Sequence, residues 1–327
     1  MSASPRRLNE SPGVDHAAVD HAALATHLQE RYGIEIAALD ELDAGVLRVD
    51  RRDGPSWVAR VFPAARPADD VEAEARLLTA LERAGFPAER CADEQPVSRW
   101  DERSVLVTGF VEAAAPLKAG RVAALLGALL GALHSRPGDG ARAGGAWHHL
   151  SFTGGPAEEI AAATELLDEA VGDVSARQLA TFDRLREAVE RTDDCADLPH
   201  ALVHPDFVLA NAIPTPDERL VIVDWTGAGR GPRLWSLGFM LWGAGSRHPR
   251  LIDVAVSRYR ARAPLEPEEL ARLEGAIAAR PLMLDTWAFC HGRLALDQVV
   301  ERLDAGRLLA RQIAARARLA FADGASS

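Results

Sequence analysis

The chain has 327 residues, enough to bury a large core in one or two domains. Hydrophobic residues make up 48% and charged residues 26%, which excludes a disordered or fibrous chain and fits an ordinary globular protein. A formal charge of −11 excludes the basic face that a nucleic-acid binder needs, and no apolar run has the length of a membrane span.

The same acidity favours cationic small molecules as partners. Cys91, Cys195 and Cys290 are far apart and form no Cys-x-x-Cys, so a reduced chain without structural zinc is expected. Arg6 and Arg7 lead into no apolar h-region; no signal peptide is expected, and a cytoplasmic location follows. Lys118 is the only lysine among 37 cationic side chains.

Residues 1–15 mix Ser, Pro, Asn and charge without a period and are expected to form a disordered tail. From 16 to 32, Val19, Ala23, Leu24 and Leu28 recur at helical spacing, and Gly33 closes the pattern. His16, His21 and His27 read as solvated helix side chains, because no acid or cysteine stands at ligand spacing. Residues 36–42, 46–49 and 57–62 read as short antiparallel strands around turns at 43–45 and 51–55. A helix at 69–84 turns Val71, Ala75, Leu77, Leu78 and Leu81 inward, and strands 96–100 and 104–111 pair across Asp101 and Glu102.

Beyond Glu112 the pattern becomes helical. Residues 121–134 carry Leu125, Leu126, Leu129, Leu130 and Leu133 at helical intervals and end at His134, which reads as a packing or loop-bracing residue. A long glycine-rich loop at 135–155 holds Trp147, His148 and His149. Helices at 156–171 and 175–191 lead through an acidic linker, 192–199, into the stretch that carries chemistry. After it, helices are expected at 249–263, 266–279, 281–291 and 294–321, with Pro267 in the first turn of the second. Asp285, Trp287 and His291 share one of these helices and receive no role.

The chemical stretch runs His204, Pro205, Asp206, then four residues to Asn211, and an apolar β-rich run, 220–223, that delivers Asp224. Kinase-type sites use this order and spacing, because phosphoryl transfer needs a nucleophile held in place and Mg²⁺ held against the phosphates. Asp206 would accept or orient the proton of a substrate hydroxyl, while Asn211 and Asp224 would offer Mg²⁺ the hard oxygen ligands it prefers.

With these residues the chain resembles the aminoglycoside phosphotransferase and choline kinase-like superfamily. That pattern is H-G-D-x-x-x-x-N, then I-D-W, then G-x-G-x-G-D-P-x-x-D-L; here the text is HPDFVLAN, VDW and GAGRGPRLWSLG. The resemblance implies an α+β, bilobal protein-kinase-like fold, with a sheet-bearing N-lobe over 16–112 and a mainly helical C-lobe over 113–327. His204 then supports the catalytic loop, Arg60 stands where the phosphate-pairing lysine is usual, and Glu74 orients it, with Glu72 a close rival. Backbone groups around Gly109, Phe110 and Val111 would meet the nucleobase of ATP or GTP. The implied activity is γ-phosphoryl transfer, Mg²⁺-dependent and direct in line, to a hydroxyl of a small acceptor such as an aminoglycoside or amino sugar. A monomer or homodimer is expected.

Four positions depart from the pattern. Arg60 replaces lysine, Pro205 replaces glycine, and Pro232 and Ser236 replace two aspartates that normally brace the loop and the next helix. Arginine is a planar fork and does not simply replace an ammonium. These departures motivate an alternative reading, a catalytically weakened pseudokinase or nucleotide-binding regulatory module.

Overall fold

A computed structural model describes residues 19–136, 138 and 140–323. The expected tail, 1–15, and the expected helix start at His16 lie outside the described residues. The chain divides into two compact units between Glu112 and Ala113.

The first unit opens with helix α1 (His21–Tyr32), where the Asp20 carboxylate caps the N–H groups of Ala22 and Ala23. His27 is half-buried, with its Nε2 2.9 Å from the Ser98 hydroxyl. Strands β1 (Ile36–Asp43), β2 (Val46–Arg51), β3 (Trp57–Val61), β4 (Val97–Trp100) and β5 (Arg103–Gly109) form one antiparallel sheet in the order β1-β2-β3-β5-β4. Period-2 alternation sends Leu47, Val49, Trp57, Ala59 and Val61 to one face, where Leu24 and Leu28 of α1 cover them. Helix α2 (Ala68–Arg83) follows β3 and buries Val71, Ala75, Leu78 and Leu81, together with the carboxylate of Glu74.

The second unit is mainly helical: α3 (Ala119–His134), α4 (Pro156–Ala170), α5 (Leu179–Glu190), α6 (Arg233–Gly245), α7 (Arg250–Arg260), α8 (Pro267–Cys290) and α9 (Leu296–Ala322). Two small ribbons interrupt it, β6 (His200–Val203) with β9 (Gly229–Pro232), and β7 (Ala212–Pro214) with β8 (Leu220–Ile222). The glycines of α3 allow it to lie on α7: a side chain at Gly127 would fall on the main chain of Ala255. His134, at the end of α3, is buried against the Tyr259 hydroxyl at 2.9 Å, and burial drives its pKa down to about 3, so it is a neutral packing residue.

One expected helix break is absent. Pro281 does not end a helix; α8 runs through it from Pro267 to Cys290. A proline inside a helix sacrifices one hydrogen bond and costs about 3 kcal/mol. Here Ala276, Ile277, Ala279 and Arg280 before it, and Met283, Thr286 and Trp287 after it, are all buried. That burial holds both halves in one rod. Among the described residues, no helix is long and apolar enough to cross a membrane.

Candidate active site

Strand β6 ends at Val203, and the next residues turn inward. His204 is fully buried, its ring edge-to-face with Trp225 at 4.8 Å and with Phe207 at 5.8 Å. Its Nδ1 accepts the N–H of Asp206 at 3.0 Å, which leaves the ring proton on Nε2, facing the Val223 carbonyl at 3.2 Å. The imidazole therefore ties the loop that carries Asp206 to the strand that delivers Asp224.

Asp206, half-buried, and Asn211 are brought together. The Asn211 Nδ2 donates to the main-chain carbonyl of Asp206 at 3.0 Å and to its carboxylate at 2.9 Å. The Asn211 main-chain carbonyl in turn accepts the N–H of Val223 at 2.9 Å, the residue before Asp224. Asp224 has φ 65, the left-handed region that a non-glycine residue seldom occupies. Such strain persists where surrounding contacts enforce it, commonly at functional sites. The next residue, Trp225, is fully buried and donates its indole N–H to the Ile222 carbonyl at 2.9 Å. Burial first, and the nearby Asp224 carboxylate second, push the Asp206 carboxyl up to about 6.

In the first unit, Arg60 on β3 sits between two carboxylates, 3.7 Å from Glu74 and 3.9 Å from Glu89. Glu74 is held much closer by Arg66, at 2.7 Å. Glu89 is fixed by the Thr108 hydroxyl at 2.9 Å. The rival Glu72 lies exposed and pairs with Arg76 one turn along the helix. Of the three residues expected to face a nucleobase, Gly109 donates its N–H to the Arg90 carbonyl and Phe110 donates its N–H to Ser56. Val111, just beyond, makes no hydrogen bond among the described residues.

Sequence reasoning did not find Arg66, Glu89, Glu159, Ser236 as a donor, or Arg280. Glu159 is one of two acids in the first turn of α4, and Arg280 is one arginine of a long helix. In the structure Arg280 is almost fully buried, bonds both Glu159 oxygens at 2.6 Å, and reaches the Pro205 carbonyl at 3.2 Å.

An Asp and an Asn bonded together on one loop, with a second Asp at a hairpin end, match the order of groups that kinase-like phosphotransferases use. The sequence model of the phosphotransferase enzyme family (APH) matches residues 33–271, and the chain belongs to that family.

Solved structures share the fold. An amicoumacin kinase, hAmiN, in complex with AMP-PNP, Ca²⁺ and Ami superposes with a TM-score of 0.65 at 14% identity, covering 90% of this chain and 93% of that one. The choline kinase LicA from Streptococcus pneumoniae gives 0.61 at 15% identity over 88% and 98% of the two chains. A microcompartment-associated aminopropanol kinase gives 0.59 at 19% identity over 90% and 98%. Among curated proteins, none matches.

Proposed function

We propose that this phosphotransferase is a small-molecule kinase that passes the γ-phosphoryl group of ATP or GTP in line to a hydroxyl of a small, amine-bearing acceptor. The observation that carries the reading is the Asn211 amide bonded to the Asp206 carboxylate at 2.9 Å, with Asp224 set beside them in a strained backbone. Within that group Asp206 orients the acceptor hydroxyl and takes its proton as the bond to phosphorus forms. The amide nitrogen of Asn211 holds Asp206, so its oxygen is the atom left for a cation. The carboxylate of Asp224, that oxygen and substrate phosphate oxygens form the hard donor set that suits Mg²⁺. When bound, Mg²⁺ offsets the charge on the transferring phosphates. His204 acts by fixing the loop.

The sheet unit is proposed to contribute Arg60 as the phosphate-gripping cation. The carboxylates of Glu74 at 3.7 Å and Glu89 at 3.9 Å orient its guanidinium electrostatically. Glu74 can serve in this way because Arg66 fixes it from the other side. Val111 is proposed as the main-chain contact to the base, since the N–H groups of Gly109 and Phe110 are spent within the unit. The formal charge of −11 supports a cationic acceptor, and choline and aminopropanol, named for two of the similar structures, are alcohols that carry an ammonium group or an amine.

The test is transfer of label from γ-labelled ATP and GTP, with Mg²⁺, to a panel of amino sugars, aminoglycosides and amino alcohols. Labelled product from at least one acceptor is expected, and label released only to water would contradict the acceptor class. In the same assay Arg60→Lys is expected to raise the nucleotide KM about three- to tenfold, because a compact ammonium cannot grip a phosphate in the forked geometry of a guanidinium. A clear gain in rate would instead mark Arg60 as a decayed lysine and favour the weakened-kinase reading.

A further inference from the structure

Two of the four departures from the family pattern, Pro205 and Ser236, meet at one place, and the structure shows how they fit each other. Proline has no N–H. A carboxylate at position 236 would find no main-chain donor on Pro205 and would face the lone pairs of the His204 carbonyl. Ser236, which is buried, instead donates its hydroxyl to that carbonyl at 2.8 Å.

The next carbonyl is also met by a side-chain donor. Arg280 Nη2 reaches Pro205 O at 3.2 Å and Gly145 O at 3.1 Å. Its Nη1 is clamped by both oxygens of Glu159, a fully buried carboxylate that also accepts the Trp147 N–H at 2.7 Å. Gly145 donates to the Gly227 carbonyl, and Gly227 has φ 81 with no room for a side chain, since a Cβ there would lie 2.5 Å from Ala146 O. One guanidinium therefore joins α8, α4, the 145–147 segment and the catalytic loop.

With the Asp206 N–H given to His204 and the Asp206 carbonyl to Asn211, each main-chain polar group from the His204 carbonyl to the Asp206 carbonyl has a named partner. Nothing in that stretch is left as a remnant of a lost contact. We infer that Arg280, clamped by Glu159, and Ser236 form a substitute brace for a proline-bearing catalytic loop, and that both are positioning residues for Asp206. The catalytic consequence rests on the kinase reading above; the brace itself rests on the contacts.

The experiment compares the full-length wild type with Arg280→Lys, Ser236→Ala and Ser236→Thr by two readouts. The first is amide hydrogen exchange of residues 203–211, with α7 as an internal control. The second is acceptor-independent hydrolysis of MgATP or MgGTP, alongside the dissociation constant of the same nucleotide. In Arg280→Lys, exchange over 203–211 is expected to quicken about tenfold with α7 unchanged. Hydrolysis should fall about 10- to 100-fold while the dissociation constant stays within about threefold, the signature of misplacement and not of lost binding. Ser236→Ala should move both readouts the same way by less, and Ser236→Thr, which keeps the hydroxyl, should restore them.

Unchanged exchange and unchanged hydrolysis in both Arg280→Lys and Ser236→Ala would overturn the brace. If Arg280→Lys does not fold, the Ser236 pair decides, because it leaves the Arg280–Glu159 clamp intact. A wild type that hydrolyses neither nucleotide without an acceptor would leave the kinase reading to the transfer assay above. Exchange at 203–211 would then still uphold the brace by quickening or reject it by staying constant.

Discussion

Asp206→Asn is expected to lower phosphoryl transfer about 10²- to 10⁴-fold, the range that a positioned general base supplies, while leaving nucleotide binding nearly unchanged. Asparagine keeps the size of the side chain and can keep a contact with Asn211, so the loop should hold its shape. What disappears is the group that takes the proton. The same carboxyl sets an acid limb in the pH profile. Its pKa is raised to about 6 by burial and by Asp224, and only the ionised form can accept a proton. The wild-type rate should therefore fall as pH drops through about 6, with bound Mg²⁺ moving the limb lower, since a nearby cation favours the carboxylate. In Asp206→Asn the residual rate should lose that limb. A variant with the wild-type profile and rate would place the base elsewhere.

Trp225→Ala is expected to be the most destabilising single change near the site, by about 3–5 kcal/mol, as for other buried aromatic truncations. The ring is fully buried, packs edge-to-face on His204 at 4.8 Å and anchors its N–H on Ile222. Removing it leaves a cavity and also frees the backbone that holds Asp224 at φ 65. Loss of Mg²⁺-dependent nucleotide binding should accompany the loss of stability. Trp225→Phe keeps most of the packing and loses the indole hydrogen bond, which contributes about 1 kcal/mol. Urea unfolding of the three proteins measures both effects. A Trp225→Ala midpoint equal to that of wild type would show that this ring does not hold the hairpin end.

What the sequence revealed followed from local spacing. Strands β2 and β3 alternate, so their buried face was readable, and α2, α3 and α7 carry apolar residues at helical intervals. The Asp206, Asn211 and Asp224 set was readable because a loop and a hairpin fix the spacing of all three. Helix α6 was not, because residues 234–241 are buried on every side and so show no amphipathic period. Strand β9 is half glycine and carries no strand signal, yet its glycines are what let residues 142–146 pass close beside it. The break expected at Pro281 followed propensity, and tertiary burial outweighed it.

The remaining site residues are joined over distances no local pattern records. Arg280 and Glu159 are 121 positions apart, and Ser236 and His204 are 32 apart. Nothing in the neighbourhood of either pair marks a partner. The Glu74 pairing was legible only in part: the sequence led to Arg60, but Arg66, a closer cation, stands outside the strand that spacing can number. Ser236 read as a missing acid when compared with a pattern, and only its 2.8 Å contact with the His204 carbonyl reveals a donor.

The central claim is that Asp224 holds a metal against a nucleotide. Its most direct test is the thermal unfolding of the purified chain with Mg²⁺ plus ATP, with Mg²⁺ plus GTP, and with neither, beside Asp224→Asn. A nucleotide at about 100 times its dissociation constant adds roughly 2.7 kcal/mol, which moves the midpoint by several degrees in a chain of this size. The account predicts a shift that requires Mg²⁺, appears with at least one of the two nucleotides, and is lost in Asp224→Asn. No shift with either nucleotide, or an equal shift in Asp224→Asn, would contradict it.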